Sequence, residues 1–205
     1  MDLKPATECS GAARPETPPV STRGLLLKEA EVLLRTRGYA AFSYADLSAR
    51  VGIRKASIHH HFRTKEELGV ALIDAYLVEF EVALAEILKD EPQALPRLRR
   101  YAAFFTGSLQ DGMMPLCGAL SAEAFALPAS MQQRVRHFFE LHLDWLEGVL
   151  RDGVTERALR ADLDVRRAAA MVLSVLEGAS LVAWALKDDA AMEPAFEQAV
   201  SSLKA

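Results

Sequence analysis

Cysteine is scarce: the 205 residues contain only Cys9 and Cys117. Two thiols so far apart form neither a disulfide framework nor a metal-ligand pattern. No stretch of 18 apolar residues runs without a charge, so no membrane span is expected. The N-terminus lacks the apolar segment of a signal peptide, which makes the cytoplasm the expected compartment. A nucleophile elbow, a phosphate-cradling glycine loop and paired catalytic carboxylates are missing as well, so neither an enzyme nor a cofactor is expected. Strand-like alternation and internal repeats are also lacking. What the chain has is apolar residues, 51% of the total, enough to build a core. They recur at helical spacing.

Residues 1–22 carry Pro5, Pro15, Pro18 and Pro19 among small and polar residues, a composition that predicts a mobile tail. Leu26, Leu27, Ala30, Leu33 and Leu34 then mark a first helix that ends at Gly38. Tyr39 and Phe42 follow as apolar plugs. Thr64-Lys65-Glu66-Glu67 is a capping-box pattern and predicts a long helix from Lys65 to about Lys89. Further helices are expected over 94–109, 116–125, 130–151, 165–187 and 190–203. The fourth of these begins after Asp164 and is apolar almost all round, as suits a deep core or a subunit interface. The fold class predicted is all-α.

The densest signal lies in SYADLSARVGIRKASIHHHF, from Ser43 to Phe62. Ser43 can cap a helix whose first turn holds Asp46. Leu47 and Val51 share one face, and Gly52 suits a left-handed helix end. A second helix opens on Arg54 and Lys55 and turns Ile58 and Phe62 inward. This is the layout of a DNA-binding helix-turn-helix. Arg54 suits bidentate contact to guanine, and Lys55 suits phosphate or guanine. Ser57 and His59 lie on the outer side of the same helix, and the helix starts at Ser43 and Thr64 offer free N–H groups to phosphate. Adjacent His59, His60 and His61 do not converge on a helix, and Arg63 is no ligand, so no metal site is read there. Charge is divided along the chain. Residues 1–65 hold 11 Lys and Arg against 6 Asp and Glu, whereas residues 66–205 hold 13 against 22. The chain is thus built to meet a polyanion with one end.

The segment GYAAFSYADLSARVGIRKASIHHHFRTKEEL resembles the N-terminal domain of TetR/AcrR-type transcriptional regulators. The likeness rests on Gly38-Tyr39, Ser43, Asp46-Leu47, Val51-Gly52-Ile53, Lys55, His60-His61-Phe62 and Lys65-Glu66-Glu67-Leu68. It spans roughly 45 residues from Leu26. The remainder is similar in outline only, through LCGALSAE and LRADLDVRRAA. The resemblance implies a helix-turn-helix three-helix bundle over 23–67 and a larger helical domain over 68–205 for effector binding and homodimerisation. It also implies a double-stranded DNA operator, a small-molecule effector and, usually, repression. Ser43, Lys55, His60 and Lys65 fall where such proteins touch DNA. Two positions depart from the pattern: His59 stands where Tyr is more frequent, and Arg54 where a small residue is common.

In the larger domain Phe104, Phe105, Met114, Cys117, Phe125, His142, Trp145 and Trp184 are candidates to line an effector cavity. His142 interrupts an apolar stripe that includes Met131, Val135, Phe138, Trp145 and Val149, and buried there it would be neutral and need a partner. Glu177 interrupts an apolar helix and is a candidate to meet an arginine or a polar effector group. Ordinary core packing is the alternative for each of them. Cys117 suggests a second mechanism, an oxidant- or electrophile-responsive thiol, although no cation adjoins it to activate it.

Overall fold

α-Helices with well-defined ends precede the long helix that starts at Lys65. The computed structural model describes residues 21–205; the expected tail through residue 20, with Cys9, lies outside them. Ser21 and Thr22, assigned from sequence to the tail, instead open the first helix: α1 spans Thr22–Arg37, and the Ser21 side chain accepts from the Gly24 N–H. Gly38 stops it with φ 91°. Two short helices follow, α2 (Tyr44–Val51) and α3 (Lys55–His61), and then the long α4 (Lys65–Asp90). Leu26, Leu33 and Leu34 of α1, Leu47 of α2, Ile58 of α3 and Phe62 are almost fully buried. Tyr39 and Phe42 are buried with them.

The larger domain continues with α5 (Ala94–Gln110), α6 (Leu116–Ala122), α7 (Ala129–Thr155), α8 (Val165–Leu186) and α9 (Met192–Leu203). Among the described residues no strand forms; one isolated bridge joins Leu159 to Lys204. Helix α6 is shorter than its apolar pattern predicts. It ends at Ala122, and a single tight turn over Ala124–Ala126 follows. The interruption falls at Glu123, whose carboxylate is engaged elsewhere. Asp164 caps α8 as expected, accepting from the Arg167 N–H at 3.1 Å.

Helix α4 joins the two domains, packing on α1, α5 and α7; α7 meets it from its first turn, where Ser130 bonds Glu66, onward. Helix α8 packs on α5, α7 and α9. By length and composition alone α8 could cross a membrane. Its surface is instead split. Ala168, Ala169, Val172, Leu173, Leu176, Ser180 and Ala183 are buried, while Leu181, Val182, Trp184 and Leu186 are exposed. Of the two settings its sequence suits, the core therefore accounts for only one side.

Candidate nucleic-acid interface and effector cavity

The two short helices are held by interlocking caps. Ser43 Oγ accepts from the Ala45 N–H at 3.2 Å, and Asp46 accepts from the Ser43 N–H at 2.8 Å and its hydroxyl at 2.6 Å. These bonds hold the Asp46 carboxyl below the usual carboxylate range. Gly52 takes φ 73° and ψ 25°, the left-handed conformation expected of it. The Ser48 hydroxyl closes the turn by donating to the Ile53 carbonyl at 2.5 Å. Tyr44 ties α2 to the start of α4: its hydroxyl lies 2.7 Å from the Thr64 carbonyl and 3.0 Å from that of Phe62. Burial, with Glu67 as a lesser cause, pushes that phenol up to about 12.

This frame presents one face of α3. Arg54 is the residue just before the helix and Lys55 the first within it. Both are exposed, as are Ser57, His59 and His60. The cations behind them are engaged: Arg50 with Glu29 at 2.7 Å, Arg35 with Glu31 at 2.7 Å and Arg37 with Asp46 at 3.6 Å. His59 Nδ1 lies 3.1 Å from the Arg63 carbonyl, so Nδ1 carries the hydrogen.

Two details differ from the sequence expectation. Thr64 Oγ1 accepts from the Glu67 N–H at 3.1 Å, but the Glu67 carboxylate reaches the Arg63 N–H at 2.9 Å rather than that of Thr64. The Glu67 half of the box is thus displaced by one residue. Lys65, expected at the DNA surface, turns inward. Its ammonium donates to the carbonyls of Tyr39 and Phe42 and lies 4.5 Å and 4.4 Å from the centres of their rings. Desolvation lowers its pKa. Lys65 therefore fastens the α1–α2 turn to α4, with little left for an external phosphate.

A second fastener was not visible in the sequence. Glu123 accepts from the Tyr39 N–H at 2.6 Å and the Ala40 N–H at 2.8 Å. A Cβ at Gly38 would collide with that carboxylate and displace it, in addition to the strain of a side chain at the positive φ. Arg35 adds a third link, donating through Nε to the Met114 carbonyl at 2.7 Å.

In the larger domain the structure gathers part of the predicted set. Phe104, Phe105, His142 and Glu177 line one cavity, together with Tyr76, Phe80, Ser108, Pro115 and Phe138. Tyr76 and Phe80 were missed, although their spacing of four residues on α4 puts them on one face. The space open to the centre of a water molecule is only about 10 Å³. Met114 and Cys117 are buried beside this region without lining it. Phe125 is fully exposed on the tight turn after α6, and Trp184 lies on the open side of α8, so neither reaches the cavity. Their apolar character misled because sequence alone does not distinguish a core position from an uncovered one.

His142 is completely buried, 2.6 Å from the Tyr101 hydroxyl through Nδ1. It stacks on Phe80 at 4.5 Å between ring centres, and Phe138 is at 3.9 Å. Burial drives its pKa down to about 3, so the ring is neutral. Burial raises Glu177 to about 7. Among the described residues three buried polar atoms lack partners: His142 Nε2, Trp145 Nε1 and Glu177 Oε1. Trp145 stacks on Tyr101 with 5.2 Å between centres. Cys117 is 1% exposed, and burial together with Glu177 raises its thiol well above the usual range.

Helix-turn-helix first, helical cavity domain second: this order has a counterpart among known proteins. Residues 26–72 match the family model for bacterial regulatory proteins of the tetR family, and residues 94–199 match that for the tetracyclin repressor-like C-terminal domain. The chain belongs to the TetR family of DNA-binding transcriptional regulators. Among solved structures it is similar to a TetR-family regulator from Agrobacterium tumefaciens, 34% identical, with a TM-score of 0.85 over 89% of this chain and 97% of the other. It is also similar to the reduced form of NemR from E. coli, 25% identical, with a TM-score of 0.77 over 90% and 98%. A curated relative, the transcriptional repressor DhaR of a Mycobacterium species, is 24% identical over 77% of this chain and 79% of its own length.

Proposed function

We propose that this regulator is a homodimeric repressor released from an imperfect palindromic operator by a small molecule bound in the aromatic cavity. The observation that carries the reading is the double role of α4. It contributes Tyr76 and Phe80 to the cavity, and about three turns earlier its Lys65 grips the turn that leads into α2, the first helix of the helix-turn-helix. A ligand that favours a different setting of α4 shifts the population away from the DNA-binding state. Helix α6 offers a parallel route, from Pro115 at the cavity to Glu123 at the same turn. On DNA, Arg54 and Lys55 meet the major groove, with Ser57, His59 and His60 beside them. The two half-sites lie about 34–36 Å apart. Ser43 and Thr64 contribute helix N-termini towards phosphate. The exposed stripe of α8, which includes Gly178, Leu181, Val182 and Ala185 at helical spacing, supports dimerisation through the C-terminal helices. The site of action is the cytoplasm, where the operator is.

The rival mechanism, an oxidant-sensing thiol, relies on a buried Cys117 whose raised pKa suppresses the reactive thiolate. It has less support than reversible ligand binding.

The test is binding of the full chain and of Lys55→Ala to DNA from just upstream of the coding region, over a range of salt. Tight binding that outcompetes bulk DNA, lost in Lys55→Ala while the oligomeric state persists, is expected. Absence of binding at low salt would overturn the reading.

A further inference from the structure

We infer that the cavity accepts a small organic cation, a protonated amine, held between the Glu177 carboxylate and the ring faces of Tyr76, Phe80, Phe104 and Phe138. This rests on the cavity being the effector site and narrows its ligand to one charge class.

The first ground is a carboxylate without a counter-ion. Glu177 Oε1 is buried and unpartnered. Space for the other oxygen is left by Gly118, where a Cβ would collide with it. The titratable groups around Glu177 are Tyr76 on α4, Tyr101 on α5, Cys117 on α6 and His142 on α7. None is positively charged at neutral pH: burial raises both phenols and the thiol and keeps His142 neutral. The nearby core cation, Arg35, is taken by Glu31 and the Met114 carbonyl. A buried carboxylate in that setting holds a proton or awaits a cation.

The second ground is the wall. Phe80 lies 5.0 Å from Phe104, 5.4 Å from Phe138 and 5.7 Å from Tyr76, centre to centre. Ring faces are the negative side of the aromatic quadrupole and attract an ammonium group when water is excluded. No Lys or Arg lines the cavity, so an anionic ligand would meet like charge and find no cationic partner. The site is nearly closed when empty. Tyr76 and Phe104 retain partial exposure, and in the proposed complex they are the rings that turn aside for an aryl or alkyl group.

The proton and the amine compete for one carboxylate. Since Glu177 titrates near neutrality, the amine binds more weakly as the pH is lowered from about 8 to about 6.

The experiment is calorimetric titration of the full chain with three matched probes: phenethylamine, phenethyl alcohol and phenylacetate. The amine is expected to bind about tenfold or more tightly than the alcohol, with phenylacetate weakest. In Glu177→Gln, checked for folding by circular dichroism, the amine's advantage should vanish. The pH series on the unaltered protein tests the same point without a substitution. If the alcohol or phenylacetate binds as well as the amine, the charge class is overturned while the cavity stands as a ligand site. If none binds at millimolar concentration, the cavity itself is overturned as the effector site and the cation proposal falls with it.

Discussion

At the residue scale the larger domain contains two titratable groups under opposite stress. His142 is neutral because burial lowers its pKa to about 3, and Glu177 is raised to about 7 from 4.5. Their linkage to stability has opposite signs. Between these limits the native state binds fewer protons at His142 than the unfolded chain does, so acidification below the ordinary histidine range destabilises. At Glu177 the native state binds more, so the stabilising contribution is full below 4.5 and is lost as the pH rises through about 7. Glu177→Gln removes only the second effect. Its melting temperature relative to the unaltered protein should therefore rise between about pH 5 and pH 8, by the equivalent of at most about 3 kcal/mol. Parallel melting curves across that range would show that the Glu177 carboxyl is not held protonated by burial. Lys65 teaches a related lesson. Its position in the sequence suggested a phosphate contact, yet two backbone carbonyls and two aromatic rings claim its ammonium.

At the scale of elements, ends were more legible than attachments. Gly38, Ser43, Gly52, Thr64 and Asp164 marked helix boundaries correctly because caps and left-handed termini depend on local chemistry. The exposed face of α3 was equally legible, since three-residue and four-residue spacings identify the inward Ile58 and Phe62. The Glu123 clasp was not, because it joins groups more than 80 residues apart and depends on a carboxylate meeting backbone N–H groups, which have no sequence signature. The clasp can be isolated by a double-mutant cycle. Glu123→Ala should cost about 1–3 kcal/mol in urea unfolding, because two N–H groups lose a charged partner. Gly38→Ala should then cost less in the Glu123→Ala background than alone, since the colliding carboxylate is gone. Equal costs in both backgrounds would assign the whole effect to backbone strain at φ 91°.

At the scale of the whole molecule a basic front and an acidic body were legible in the division of charge, and the helix-turn-helix in its caps and spacing, but the cavity's membership was only half foreseen. Phe125 and Trp184 had the right chemistry in the wrong place. Tyr76 and Phe80 sat on the long helix predicted from Lys65, where no cavity residue was sought. The open side of α8 supplies the remaining prediction. Leu181→Glu puts a charge into the proposed dimer interface and should move the sedimenting species from twice the monomer mass to the monomer, with loss of operator affinity. A variant that remains dimeric would place the interface elsewhere. On the proposed dimer, that same apolar stripe also sets a lower limit on gene dosage. Two recognition helices act together only above the dissociation constant of the pair. The number of copies a cell must keep to hold its operator shut is therefore written in the packing of Leu181 and Val182 as much as in the contacts made by Arg54 and Lys55.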